Sequence, residues 1–144
     1  MGFAMRMNLN GEIIKKQSFQ PMYINGKNQG FSFLVQLGYY RGHYLSTIEQ
    51  LEVTVDGETI PKEAVTFELN KKEMPIYRLK LATTEFWSQV VPARIHVIKP
   101  GGLSKGSHKI ELKLMMCIPY MAIGPDHNYM PLDSGDIVEI EVTE

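Results

Sequence analysis

The stretch His108-Lys109-Ile110-Glu111-Leu112-Lys113-Leu114-Met115-Met116-Cys117-Ile118 decides the fold. Ile110, Leu112, Leu114, Met116 and Ile118 recur at every second position, with Lys109, Glu111 and Lys113 between them. A period of two belongs to a strand, whose successive side chains point to opposite faces of a sheet. From Met115 onward the second face turns apolar as well, so this end of the strand is expected to be covered.

The same alternation recurs on both sides of that stretch. Phe31, Phe33, Val35 and Leu37 share a face, and so do Leu51, Val53 and Val55. Val65, Phe67 and Leu69 follow, then Tyr77, Leu79 and Leu81, then Ile95 and Val97 around His96, and last Val138, Ile140 and Val142. Asn25-Gly26, Asp56-Gly57, Pro100-Gly101-Gly102, Gly124-Pro125 and Ser134-Gly135 punctuate the runs. Asp-Gly between alternating runs is a hairpin signal, because a type I′ turn needs positive φ at both central residues. Ser46-Thr47-Ile48-Glu49 matches a capping box but leaves room for only about one helical turn. These features predict an all-β fold: one antiparallel β-sandwich or barrel-like domain of about seven to eight strands with long loops, spanning 1–144, its first ten or so residues an arm.

Composition narrows the function classes. At 144 residues the chain is long enough for one core without staples. Its 44% hydrophobic and 22% charged residues exclude whole-chain disorder. Fifteen Lys and Arg against sixteen Asp and Glu give a net charge of -1, so no basic field draws in nucleic acid. No apolar run reaches the roughly 18 residues of a membrane span. The N-terminal MGFAMRMNLNGE lacks the apolar core of a signal peptide, and Arg6 stands where a myristoylation site carries a hydroxyl. The single cysteine, Cys117, excludes an intrachain disulfide, and a cytoplasmic location is expected.

No chemical motif rises from the spacing. His43, His96, His108 and His127 are widely separated, so the chain itself is expected to hold no metal, and His96 reads as a solvated residue on an outward strand position. Cys117 within an apolar strand reads as an inert thiol. No nucleophile elbow is present, and the carboxylates from Asp133 to Glu144 read as an edge strand charged against aggregation.

Three segments stand out. Gly38-Tyr39-Tyr40-Arg41-Gly42-His43-Tyr44 concentrates the residue types enriched at binding hot spots, or its tyrosines cap the sandwich end. Thr84-Glu85-Phe86-Trp87-Ser88 holds the only tryptophan, either a core plug or a stacking platform. The segment from Pro119 to Pro131 reads as a loop too long and too apolar for a solvated turn. Its Tyr and Met residues, with Met115, suit a covered protein interface.

Gly30-Phe31-Ser32-Phe33, Tyr39-Tyr40-Arg41-Gly42, Leu45-Ser46 with Ile48-Glu49, and Val53-Thr54-Val55-Asp56-Gly57 form an ordered set. With Lys99-Pro100-Gly101-Gly102-Leu103, Gly106, His108 and Pro119-Tyr120-Met121, the chain resembles the small, or beta, subunit of bacterial C-glycoside deglycosidases from about Gly30 to about Met121. The resemblance implies a heteromeric complex, with a higher hetero-oligomer expected. In it, a catalytic alpha subunit similar to sugar isomerase and epimerase barrels holds a divalent metal, commonly manganese, and the acid/base residues. The implied reaction is carbon–carbon lyase chemistry on a flavonoid-type C-glycoside already oxidised at sugar C3. The ketone acidifies the C2 proton, a base removes it, and the C1–aryl bond breaks by elimination. This chain would carry no catalytic residue. Tyr39, Tyr40, Arg41, His43, Tyr120, Met121, His127 and Tyr129 would line the partner interface or the rim of the partner's active site. The rival reading is a stand-alone glycoside-binding module that stacks sugar on Trp87 and the tyrosines. A purely structural domain is the third.

Overall fold

The computed structural model describes residues 13–37, 42–88, 90–123 and 128–142, with backbone alone at 117–123 and 128–133. Twelve strands are formed among them: β1 Gln20–Ile24, β2 Lys27–Val35, β3 His43–Tyr44, β4 Ile48–Val55, β5 Glu58–Thr59, β6 Val65–Leu69, β7 Lys72–Pro75, β8 Phe86–Trp87, β9 Ala93–Ile98, β10 Gly106–Ile123, β11 Asn128–Asp133 and β12 Asp136–Val142. One five-stranded sheet runs β1-β2-β9-β6-β7. The second runs β11-β10-β4-β5 with β12 also on β10, and β3 and β8 form a two-stranded patch. All pairings are antiparallel and neither large sheet closes on itself, so of the two expected architectures the sandwich is the one adopted. Among the described residues no helix is long and apolar enough to cross a membrane.

The register explains the core. In the first sheet Phe31 faces Val97, Phe33 faces Ile95 and Val35 faces Ala93, while Val65 and Phe67 meet Val97 and Ile95 from the other side. In the second, Ile110, Leu112, Leu114 and Met116 of β10 oppose Val55, Val53, Leu51 and Ile48 of β4. These side chains are all buried, so the two inner faces meet as one apolar layer. Ile48 and Leu51 both point inward although they lie three positions apart. A bulge between Met115 and Met116 in the pairing with β4 absorbs the odd residue.

The turns follow their chemistry. Asp56 and Gly57 have φ of 51° and 87°, as a type I′ hairpin requires. Asn70 and Lys71, at 55° and 66°, make the same kind of turn between β6 and β7, without a glycine to announce it. Gly30 is required for a different reason. A Cβ there would lie 1.9 Å from the Val97 carbonyl oxygen, where β2 and β9 approach.

Two sequence expectations are corrected. Tyr77, Leu79 and Leu81 do not line a strand: Ile76–Leu81 is a 3₁₀ helix. With three residues per turn, Ile76 and Leu79 fall on the core side, and Tyr77 and Leu81 are 76% and 74% exposed. The segment from Pro119 to Pro131 is not an open loop either. β10 continues to Ile123 and β11 returns from Asn128, with Ile118 opposite Met130 and, after a register shift, Ala122 opposite Tyr129. Two prolines and apolar residues on both faces hide this strand continuation from a period-two reading. The capping-box segment is a single 3₁₀ turn, Leu45–Thr47, without a side-chain cap; Thr47 Oγ1 donates to the Tyr44 carbonyl at 2.8 Å instead.

Candidate functional site

The expected interface residues fall in two places. Tyr39, Tyr40, Arg41 and His127 lie outside the described residues. Tyr120 and Met121 stand on β10 in the region of its register shift, and Tyr129 stands on β11 opposite Ala122, so the ladder brings these three positions together. In the described pairings, β4 and β12 accompany β10 only as far as Met116 and Leu112, and from Cys117 to Ile123 its partner is β11 alone. A two-stranded ribbon is marginal in water without a surface to pack on.

His43 is brought instead to the β3–β8 patch, where it pairs with Trp87 while Tyr44 pairs with Phe86. His43 is buried, and burial pushes its imidazole pKa below the usual value, which favours the neutral ring. Gly42 lies so close to Phe86 that a Cβ would sit 2.5 Å from the ring. The backbone at Gly42 is therefore held against β8. Tyr44 and Phe86 meet edge to face, ring centroids 5.1 Å apart, and both remain about half exposed. Leu45 N–H donates to the Glu85 carbonyl at 2.9 Å, which ties the 3₁₀ turn after β3 to the same patch.

Trp87 is not a surface stacking platform. It is 0% exposed, its ring packs edge to face on Phe67 at 5.4 Å, and its Nε1–H donates to the Val91 carbonyl at 2.8 Å. The core-plug alternative for this residue is what the fold adopts. The exposed apolar residues among the described ones include Tyr77 and Leu81 on the 3₁₀ helix, Val90 and Val91 after β8, and Tyr23, Ile24, Ile98 and Ile137 elsewhere on the sheets. Sequence reasoning missed Tyr77 and Leu81 because they read as the buried face of a strand.

A separate cleft of about 650 Å³ opens between β1 and β12. Phe19, Phe31, Leu103 and Ile140 supply its apolar surface, with Tyr23 and Glu141 among the more exposed lining residues. That volume is within the range of small-molecule sites.

Two histidines are paired with carboxylates. His108 Nδ1–H faces Asp56 Oδ2 at 2.7 Å and Nε2 faces the Ser104 carbonyl at 2.7 Å. Both ring nitrogens can donate only when the imidazole is charged, so these acceptors raise its pKa, the Asp56 bond foremost. Asp56 is held below the usual carboxylate value by the Lys109 backbone N–H and then by His108. His96, expected as a solvated residue, is only 18% exposed and pairs with Glu68 through Nε2 at 2.7 Å. Glu68, Glu73 and His96 are the one set among the described residues whose ligand atoms lie close enough to share a metal ion.

Comparison with known proteins adds the family. The profile of the C-glycoside deglycosidase beta subunit matches residues 9–120. A relative in Eubacterium cellulosolvens with that same name is 34% identical over 116 residues, 74% of this chain and 79% of the relative. The 3'-dehydrocarminate deglycosidase beta subunit of a Microbacterium species is 34% identical over 95 residues, 65% of this chain and 70% of the relative. A C-glycoside deglycosidase beta subunit of Arthrobacter globiformis is 24% identical over 110 residues, 76% and 82% of the two chains.

Proposed function

Because this chain belongs to the C-glycoside deglycosidase beta subunit family, we propose that it is the non-catalytic subunit of a cytoplasmic, heteromeric lyase acting on 3-oxo-C-glycosides. The name beta subunit implies a partner subunit. In this reading the partner is a sugar isomerase-like barrel that carries the acid and base, and the substrates are aryl C-glycosides of the flavonoid type. The oxidised sugar is supported by the name of the Microbacterium relative, whose substrate is a 3'-dehydro compound.

The chemistry accounts for the oxidation. A sugar joined to an aromatic ring through carbon offers no leaving oxygen to protonate. With a ketone at C3, a base can take the C2 proton; the C1–aryl bond then breaks as C1=C2 forms, and the aryl carbon gains a proton. The products are the free aglycone and an unsaturated keto-sugar. A divalent metal in the partner, manganese in this reading, would supply Lewis-acid polarisation of the ketone. This chain's part is to shape the mouth of the site and exclude water.

The observation that carries this role is the β10–β11 ribbon, in which β11 is the one described strand pairing with β10 beyond Met116 and on which the Tyr120, Met121 and Tyr129 positions stand. The tyrosine loop ending at Gly42 and His43 is the second contact, with Arg41 as its anchor. The glycoside-binding alternative loses its main platform, because Trp87 is in the core. Arg41→Ala, combined with the partner, tests the assignment: complex formation weakens while the circular dichroism of the isolated chain stays unchanged. A variant that assembles and turns over normally removes Arg41 from the interface.

A further inference from the structure

The outward face of the first sheet holds a group of side chains that the deglycosidase reading does not use. Cross-strand register sets two rows there. Ser32, His96, Thr66 and Pro75 form one, and Leu34, Arg94, Glu68 and Glu73 form the next. Two carboxylates, Glu68 and Glu73, are thus directly opposite one another, an arrangement that costs stability unless a positive charge lies between them. Arg94, the other neighbour of Glu68 in its row, uses its Nη1 to reach Ser32 Oγ at 2.9 Å. His96 sits diagonally to Glu68, its Nε2 2.7 Å from Glu68 Oε1. One ligand atom from each of Glu68, Glu73 and His96 lies within 4.8 Å of the others. Thr66 Oγ1 donates to Glu73 Oε2 at 2.5 Å and fixes that carboxylate from behind.

We propose that Glu68, Glu73 and His96 bind a divalent transition-metal ion on the outer face of β6, β7 and β9. Two carboxylate oxygens and one imidazole nitrogen suit zinc, cobalt or manganese better than calcium or magnesium, which prefer oxygen throughout. The three ligands stand on three adjacent strands, so the ion would clip the edge strand β7 to the sheet. Thr66 has the place of an outer-shell group that orients a ligating carboxylate. To ligate through Nε2, His96 keeps its ring proton on Nδ1 and turns the Nε2 lone pair to the ion. The sequence reading, in which this chain holds no metal, has no spacing from which to see the set: the ligands are five and twenty-three residues apart and only the sheet register joins them.

The test is zinc titration of the full chain, stripped with chelator, by calorimetry. Glu73→Gln is the decisive variant, since Glu73 is exposed on an edge strand and the core does not depend on it. Wild type is expected to take up one zinc more per chain than Glu73→Gln or His96→Gln. Thr66→Val is expected to weaken that site by roughly 10-fold to 100-fold. Visible absorption of the cobalt-loaded protein is expected to change in Glu73→Gln and to stay as in wild type in Glu139→Gln. The proposal is overturned if wild type takes up no zinc, or if wild type and Glu73→Gln bind the same amount with the same affinity.

Discussion

Replacing Trp87 by Phe separates a core tryptophan from a ligand platform. The full Ala truncation is too harsh a probe: losing a large buried aromatic costs about 3–5 kcal/mol, a large share of the 5–15 kcal/mol typical of a domain. Phe keeps an aromatic ring against Phe67 and removes two things. The first is the Nε1–H bond to the Val91 carbonyl, 2.8 Å long. Its loss is worth about 1 kcal/mol, because Val91 is partly exposed and its carbonyl can turn to water. The second is the volume of the larger ring in a site with no solvent access, worth about 1–2 kcal/mol of transfer and cavity free energy. The expected destabilisation is thus about 2–3 kcal/mol, or about 6–9 °C in Tm at roughly 3 °C per kcal/mol for this length. Urea unfolding followed by far-ultraviolet circular dichroism measures it without the indole. Wild-type fluorescence should be blue-shifted and resistant to iodide quenching, since Trp87 is the only tryptophan. A variant within about 0.5 kcal/mol of wild type, the range of a surface substitution, would refute the burial argument.

Stability should peak near pH 6.5, by two opposed histidines. The pKa of His43 is lowered by burial, so its contribution is complete above the unfolded value of about 6.5 and is lost as pH falls toward the folded value. His108 is raised by Asp56 and the Ser104 carbonyl, so its contribution is complete below about 6.5 and fades as pH rises through its folded value. Urea midpoints measured across pH should therefore bend on both sides, and Asp56→Asn should flatten the alkaline limb while leaving the His43 bend just below pH 6.5 in place; an unchanged alkaline limb contradicts the pair. Gly30→Ala forces a methyl onto the Val97 carbonyl and should cost about 3 kcal/mol, at the top of the range for overpacking, read as a lower Tm by calorimetry. A Tm within a degree or so of wild type would contradict the close approach of β2 and β9.

Sequence patterning exposed the sandwich wherever one face of a strand is buried and the other wet. Ile110 to Met116 in β10 and Val65 to Leu69 in β6 alternate because their outer faces meet solvent, and the register confirms each inner residue. Patterning failed where that contrast is missing. Ile76–Leu81 alternates in sequence, yet a 3₁₀ helix after Pro75 selects every third residue, so Leu79 is buried and its expected companions are exposed. Beyond Cys117 both faces of β10 are apolar and prolines interrupt, so the ribbon read as a loop. The Asn70-Lys71 turn carries no glycine, and β7 was invisible without it. Glu68, Glu73 and His96 lie beyond any local pattern, for cross-strand register alone brings them together.

The central claim is that this chain works as one half of a two-subunit lyase. Tagged chain purified from its native lysate, followed by native mass spectrometry and incubation with a 3-oxo-C-glycoside, tests it most directly. The account predicts a stoichiometric complex with a metal-containing, sugar isomerase-like protein that releases the aglycone. A chain recovered alone and monomeric, or a stoichiometric complex that leaves the 3-oxo-C-glycoside intact, would contradict it.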